Sequence, residues 1–204
     1  MIVRRLGLVD YPEALRIQED LVESGTAALL LLRHPPVVTA GRQADLADLR
    51  VTPEELARRG VGLCQTGRGG QLTYHGPDQL VAYPVLDLQA RGRPDLHRYL
   101  RDLEEVGIRV LADYGLSGLR VQGRTGVWVR GNKLAAIGVR VRRWVAFHGI
   151  ALNVGPDLSG FDLIVPCGIR DAGVTSLAAE LGHAPPMEEV EDRFERHFRD
   201  VFGF

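Results

Sequence analysis

Between residues 119 and 154 four strand-like segments follow one another with no interval long enough to hold a helix. They cover 119–122, 126–129, 133–142 and 144–154. Parallel neighbours need a crossover of a dozen or more residues, so strands this closely spaced pair as hairpins. Gly131-Asn132 supplies the turn into the third segment, and Arg142-Arg143 the short turn into the fourth. The chain is thereby expected to be α/β of the α+β type, a mixed, largely antiparallel sheet with helices packed on it.

The remaining segments fit that plan. Residues 2–9 read as a strand and 11–24 as an amphipathic helix closed near Gly25. The apolar run 27–32 reads as a central strand, broken by His34-Pro35-Pro36 before another strand at 37–39. Thr52-Pro53-Glu54-Glu55 is a capping box with proline in the first helical position. Strands are predicted at 61–64, 71–74 and 79–88, and Asp95 is the expected N-cap of the longest helix, which runs to about Tyr114. A short strand at 161–165 and helices at 174–181 and 187–202 complete the chain. No repeat, low-complexity run or linker divides it, so residues 1–204 are expected to form a single catalytic domain.

Net charge is −1, which gives no general attraction to nucleic acid or to an anionic membrane. The N-terminus lacks a signal-peptide pattern, and the run 27–32 is too short to span a bilayer. The two cysteines, Cys64 and Cys167, do not make a disulfide framework and fit a reducing cytosol. No CxxC, HExxH or histidine cluster at ligand spacing is present, so neither a metal nor another cofactor is expected. No heptad or apolar stripe is left over, and the chain is expected to be a monomer.

Composition singles out one amine. The 25 Lys and Arg residues include a single lysine, Lys133, at the start of the third hairpin strand. Regular alternation puts it on a face with Ala135, Ile137, Val139 and Val141. An amine can release its proton in a desolvated site and a guanidinium cannot. Two readings stand: a group for proton chemistry, or a lysine whose head reaches back to water. Cys167, between Pro166 and Gly168, is likewise either a nucleophile with backbone donors at hand or a small buried hydrophobe. Cys64 lies inside a strand pattern and is read as structural.

Residues 67–76 form a glycine-rich stretch in which Arg68 offers a fork of donors; it matches neither a Walker A loop nor a Rossmann fingerprint. Tyr74 and His75 at its far end point to a ligand-lining loop rather than a slack connection. His148 is expected to hydrogen-bond within the sheet. Small residues sit side by side on adjoining strands, Ala136 and Gly138 beside Gly149 and Ala151, and either admit a closely packed helix or leave a slot for a slim apolar ligand.

Taken in order and spacing, GRGGQLTYHGPDQLVAYPVLDL, NKLAAIGVRV, FHGIALNV, FDLIVPCGI and TSL resemble the lipoate biosynthesis protein B family of octanoyl-[acyl-carrier-protein]:protein N-octanoyltransferases, over about residues 34–177. The resemblance implies the fold of biotin protein ligase and lipoate ligase catalytic domains. It implies octanoyl-acyl carrier protein as donor, and as acceptors the lipoyl domains of 2-oxoacid dehydrogenases and the glycine cleavage H protein. It assigns the thioester nucleophile to Cys167 and its activation to Lys133. Substrate contacts fall to Arg68, Gly69, Gly70, Gln71, Leu72, Thr73, Tyr74 and His75, to Ala136, Ile137 and Gly138, and to Gly149, Ile150 and Ala151. Ala136 stands where the family often has serine, so a hydroxyl contact is absent there. Arg140, Arg142 and Arg143 are candidates for docking acidic partners, or ordinary solvated arginines. Two rival readings are an ATP-dependent lipoate or biotin ligase of the same fold and a non-catalytic module that binds the carrier or a lipoyl domain.

Overall fold

The computed structural model describes residues 1–92, 94–165 and 172–204. Cys167 therefore lies outside the described residues. In chain order the elements are β1 (Ile2–Leu8), α1 (Tyr11–Ser24), β2 (Ala28–Arg33), β3 (Val37–Ala40), α2 (Pro53–Arg58), β4 (Gly62–Gln65), β5 (Leu72–His75), β6 (Gln79–Asp87), α3 (Leu96–Ala112), β7 (Leu119–Val121), β8 (Arg124–Val129), β9 (Asn132–Arg142), β10 (Val145–Asn153), α4 (Leu177–Leu181) and α5 (Met187–Phe202). Helix ends follow local chemistry. Thr52 Oγ1 accepts the Glu55 N–H at 3.3 Å, Asp95 accepts the Arg98 N–H at 3.0 Å, and Gly25 closes α1 at φ 66°.

Seven strands form one sheet in the order β1-β2-β6-β10-β9-β8-β7, in which every neighbouring pair except β1–β2 is antiparallel. A second sheet has the order β4-β3-β5. On one face of the large sheet, Leu103, Val106 and Val110 of α3 and Phe194 and Phe198 of α5 pack over Leu80, Val127, Ile150 and Leu152. On the other, Ala14 and Leu21 of α1 pack with Val81, Tyr83, Phe147 and Ala151. Burial on both faces explains the unbroken apolar run of β2. No helix among the described residues is long and apolar enough to cross a membrane.

Four details differ from expectation. Both hairpin turns sit one residue away from the predicted pairs. They are Arg130-Gly131 (φ 48° and 84°) and Arg143-Trp144 (φ 50° and 65°), all in the left-handed region that suits the twist of a two-residue hairpin. Residues 161–165 do not form a strand. A 3-10 turn spans Ser159–Leu163, and its Gly160 lies flat on Tyr74, where a Cβ would fall 2.1 Å from the ring. Residues 174–176 are not helical, because their backbone is taken by β9: Val174 bridges to Lys133, and Ser176 caps α4.

The fourth difference moves a functional residue. Val127 pairs with Ala135, whereas Trp128 pairs with Lys133, so β9 advances two residues for one of β8. Leu134 is the extra residue of a bulge, and both Leu134 and Ala135 enter the core under α3 and α5. The alternation is reset at that point. Lys133 consequently shares a face with Ala136 rather than with Ala135, Ile137, Val139 and Val141.

Gly149 holds β10 against β6, since a Cβ there would lie 2.2 Å from the Ala82 carbonyl oxygen and 2.8 Å from Pro84 Cδ. Gly149→Ala is expected to cost about 2 kcal/mol in urea unfolding, by overpacking. An unchanged midpoint would show that the two strands can separate freely.

Candidate active site

The glycine-rich stretch is held at both edges. Towards β3, the Arg42 N–H donates to the Arg68 carbonyl, the Gln43 N–H to the Gly70 carbonyl, and the Gly70 N–H to Gln43 Oε1. Towards the large sheet, the Gly69 N–H donates to the Val139 carbonyl at 2.9 Å. The buried Arg68 guanidinium donates to Thr39 Oγ1 and carbonyl, to the Gly69 carbonyl and to the Gln71 carbonyl. These donors fix the shape of the loop. The close approach also explains the glycines: a Cβ on Gly138 would meet Arg68 Cδ and the Gly69 carbonyl oxygen at 3.1 Å, and one on Gly41 would overlap the Gly70 carbonyl.

Beneath this loop lies a partly open cavity. Arg68 to Thr73 and His75 form one wall, Ala136 to Gly138 and Gly149 to Ala151 the other, and Tyr11, Val81, Tyr83 and His148 close it. Of the predicted substrate contacts only Tyr74 is not among the lining residues. It faces a second, smaller space with Thr73, Gln79, Lys133, Ala136, Ala151, Asn153, Phe161 and Val174. The two spaces share Thr73, Ala136 and Ala151 and so adjoin. The small residues of β9 and β10 line a slot, while the space that a side chain would take at Gly138 and Gly149 is filled by the loop and by the β6 backbone.

Lys133 is 8% exposed, and its Nζ lies 4.9 Å from the centre of the Trp128 ring. Its backbone is also engaged, with N–H to the Gly173 carbonyl and carbonyl to the Thr175 N–H. Beside it runs a chain of buried amides. Gln79 Nε2 donates to the Tyr74 carbonyl and to Asn153 Oδ1, and Asn153 Nδ2 donates to the Thr175 carbonyl. Gln79 Oε1 must then accept from His75 Nδ1, which fixes that tautomer.

Two buried histidines, His75 and His148, line the cavity, and a third, His34, packs against His75 and Tyr83. His34 Nδ1 donates to the Val9 carbonyl, and its Nε2 accepts from the Tyr83 hydroxyl at 2.9 Å. Burial lowers the pKa of His34 to about 4 and that of His148 to about 3, the latter helped by Arg68 and Arg140. Burial also takes His75 well below the ordinary range, and the neighbouring His34 and Arg68 add to the effect. Against expectation, neither ring nitrogen of His148 has a hydrogen-bond partner among the described residues. No cluster of three or more His, Cys, Asp or Glu among the described residues could hold a metal ion.

Residues 10–199 match the lipoyl protein ligase A/B catalytic domain family. An octanoyltransferase of Chloroflexus aggregans is 55% identical over 201 residues, covering 95% of this chain and 90% of that protein. The chain belongs to the lipoyl protein ligase A/B catalytic domain family. It is an acyltransferase. The fold agrees. A lipoate-protein ligase A solved with ATP superposes with a TM-score of 0.81 at 18% identity, over 99% of this chain and 85% of that one. The biotin protein ligase of Aquifex aeolicus in complex with biotin and ATP gives 0.63 at 15% identity, over 99% and 70%.

Within this lipoyl protein ligase A/B domain, sequence reasoning missed Tyr11, Tyr83, Gln79 and Asn153. Asn153 and Gln79 carried a usable signal, as polar residues at the facing ends of two otherwise apolar strands. Tyr83 carried none, because an aromatic in an apolar run reads as core, and neither did Tyr11, the first residue of an amphipathic helix.

The histidines predict an acid-labile fold. Their folded pKa values lie below the unfolded value of about 6.5, so the unfolded chain binds more protons below that pH. Their contribution is intact above pH 6.5 and is lost as pH falls towards the folded values. The Tm is expected to begin falling below about pH 6.5, before carboxylates titrate. A Tm that stays flat down to about pH 5 would contradict the assignment of neutral, buried rings.

Proposed function

We propose that this chain transfers an octanoyl group from acyl carrier protein to the ε-amine of a lysine on lipoyl domains of the 2-oxoacid dehydrogenases and the glycine cleavage H protein. The observation that carries this reading is the slot, narrow and floored by small residues, which adjoins the space holding Lys133. An unbranched acyl chain matches that shape, and the single lysine of the chain lines the adjoining space. The names of the relatives support the identity of the acyl group.

The nucleophile in this reading is Cys167, six residues before the Gly173 whose carbonyl accepts the Lys133 N–H. Its thiol proton passes to Lys133, and the thiolate attacks the carrier thioester. The carbon–sulfur bond to the carrier breaks, the carrier thiol leaves with a proton, and the octanoyl group is held on Cys167. Thioester exchange is nearly isoenergetic, so ATP is not required. The acceptor lysine then attacks as a neutral amine, its proton passes to Lys133, and the Cys167 thiolate departs. The resulting amide is more stable than the thioester, which drives the second step. The Trp128 ring and the Gln79–Asn153 amides limit where the Lys133 side chain can go. The exposed Arg143 is available to meet acidic partners, whereas the exposed Arg142 lies 3.9 Å from Glu23 and Arg140 lies over the Phe147 ring at 5.5 Å.

Initial rates with both substrates varied are expected to give the parallel lines of a ping-pong mechanism. Lys133→Arg keeps the charge but cannot exchange the proton, so kcat should fall by about 10²–10⁴-fold. Intersecting lines, or a Lys133→Arg enzyme within a few-fold of normal, would refute this route.

A further inference from the structure

His148 is a polar group of the cavity that the transfer reaction leaves unused. It occupies β10 with φ of 57°, a conformation that costs a non-glycine residue energy and persists only where its surroundings impose it. Pleating would send residues 147 and 148 to opposite faces of the sheet. Here the His148 ring stacks on Phe147, with centroids 5.0 Å apart, and meets the edge of Tyr83 at 6.2 Å. Its backbone N–H turns out of the sheet to donate to Gln18 Oε1 of α1 at 2.8 Å.

The strained backbone delivers an imidazole that is 1% exposed and lines the cavity, yet neither Nδ1 nor Nε2 has a hydrogen-bond partner among the described residues. His34 and His75 differ, since each is committed to a protein partner. With its pKa lowered to about 3, the His148 ring is neutral at ordinary pH and offers one donor and one acceptor. Burying such a group unpaired is costly, and a site that holds one favours the ligand able to pair with it.

Position tells which part of a ligand it meets. Ala151 borders both the cavity and the Lys133 space, and His148 lies three residues along the same strand, or about 10 Å. An extended eight-carbon chain, with seven bonds of about 1.5 Å, spans roughly 9 Å in zigzag. A chain whose carboxyl end lies beside Ala151, where the two spaces meet, therefore brings its last carbons to His148.

We propose that His148 is a specificity-determining residue that reads the far end of the acyl chain, and that the cavity accepts medium-chain acyl groups bearing a terminal hydroxyl as well as the plain chain. This rests on the assignment of the cavity as the acyl slot.

The test is calorimetric binding of octanoate and 8-hydroxyoctanoate to the full chain and to His148→Phe and His148→Asn, with folding checked by thermal denaturation. The wild type should bind the hydroxy acid within about threefold of octanoate, because the ring pairs with the buried hydroxyl. His148→Phe should weaken the hydroxy acid about tenfold or more relative to octanoate, since nothing then pairs with the hydroxyl. Asparagine tolerates the left-handed backbone and keeps a donor and an acceptor, so His148→Asn should retain the wild-type ratio. Octanoate binding with one ratio in all three proteins, or a wild type that rejects the hydroxy acid, would overturn the role of His148 alone. If neither acid binds the wild type, the acyl slot and the role of His148 both fall.

Discussion

The site depends on one seam, where the glycine-rich loop is hydrogen-bonded to β9 through its backbone. The Gly69 N–H reaches the Val139 carbonyl because Gly138 beside it has no side chain, and the Arg68 fork sets the loop's own curvature. A loop attached by side chains would fill the space it covers. One attached by its backbone at the edge leaves the floor of Ala136, Gly149 and Ala151 uncovered beneath it. The cavity follows from that choice of attachment, and the glycines are where the backbones must touch.

Two departures from regular strand geometry then place the polar groups. The extra residue Leu134 goes into the core and turns Lys133 towards the cavity side, while the left-handed His148 puts a second ring beside Phe147 on that side. Both lie on the two strands that floor the slot. A regular β9–β10 hairpin would have buried the lysine under α3 and turned the His148 imidazole away from the slot. Bulges and strained residues have a cost in stability, and here each aims a side chain that a straight strand would misplace.

The fold was largely legible from local signals. The hairpin spacing of residues 119–154 was enough to require an antiparallel sheet, and Thr52, Asp95 and Gly25 mark helix ends through chemistry that acts within four residues. The misreadings share a cause, which is competition from distant partners. Residues 174–176 pair with β9 instead of starting a helix, Gly160 packs on Tyr74 instead of entering a strand, and Leu134 breaks a period that the sequence continues. For the site, small residues on adjacent strands announced a slot or a packed helix, and only the docked loop decides between them. The face of Lys133 could not be read from its spacing, because a bulge leaves no mark in an apolar run.

The central claim is that the cavity holds an acyl chain on its way from one thioester to another. Its most direct test is the intact mass of the protein after mixing with octanoyl-acyl carrier protein in the absence of ATP. A mass gain of one octanoyl group is expected, absent in Cys167→Ser and discharged when an apo lipoyl domain is added. No adduct under these conditions, together with transfer from free octanoate once ATP is supplied, would contradict it and make the protein a ligase.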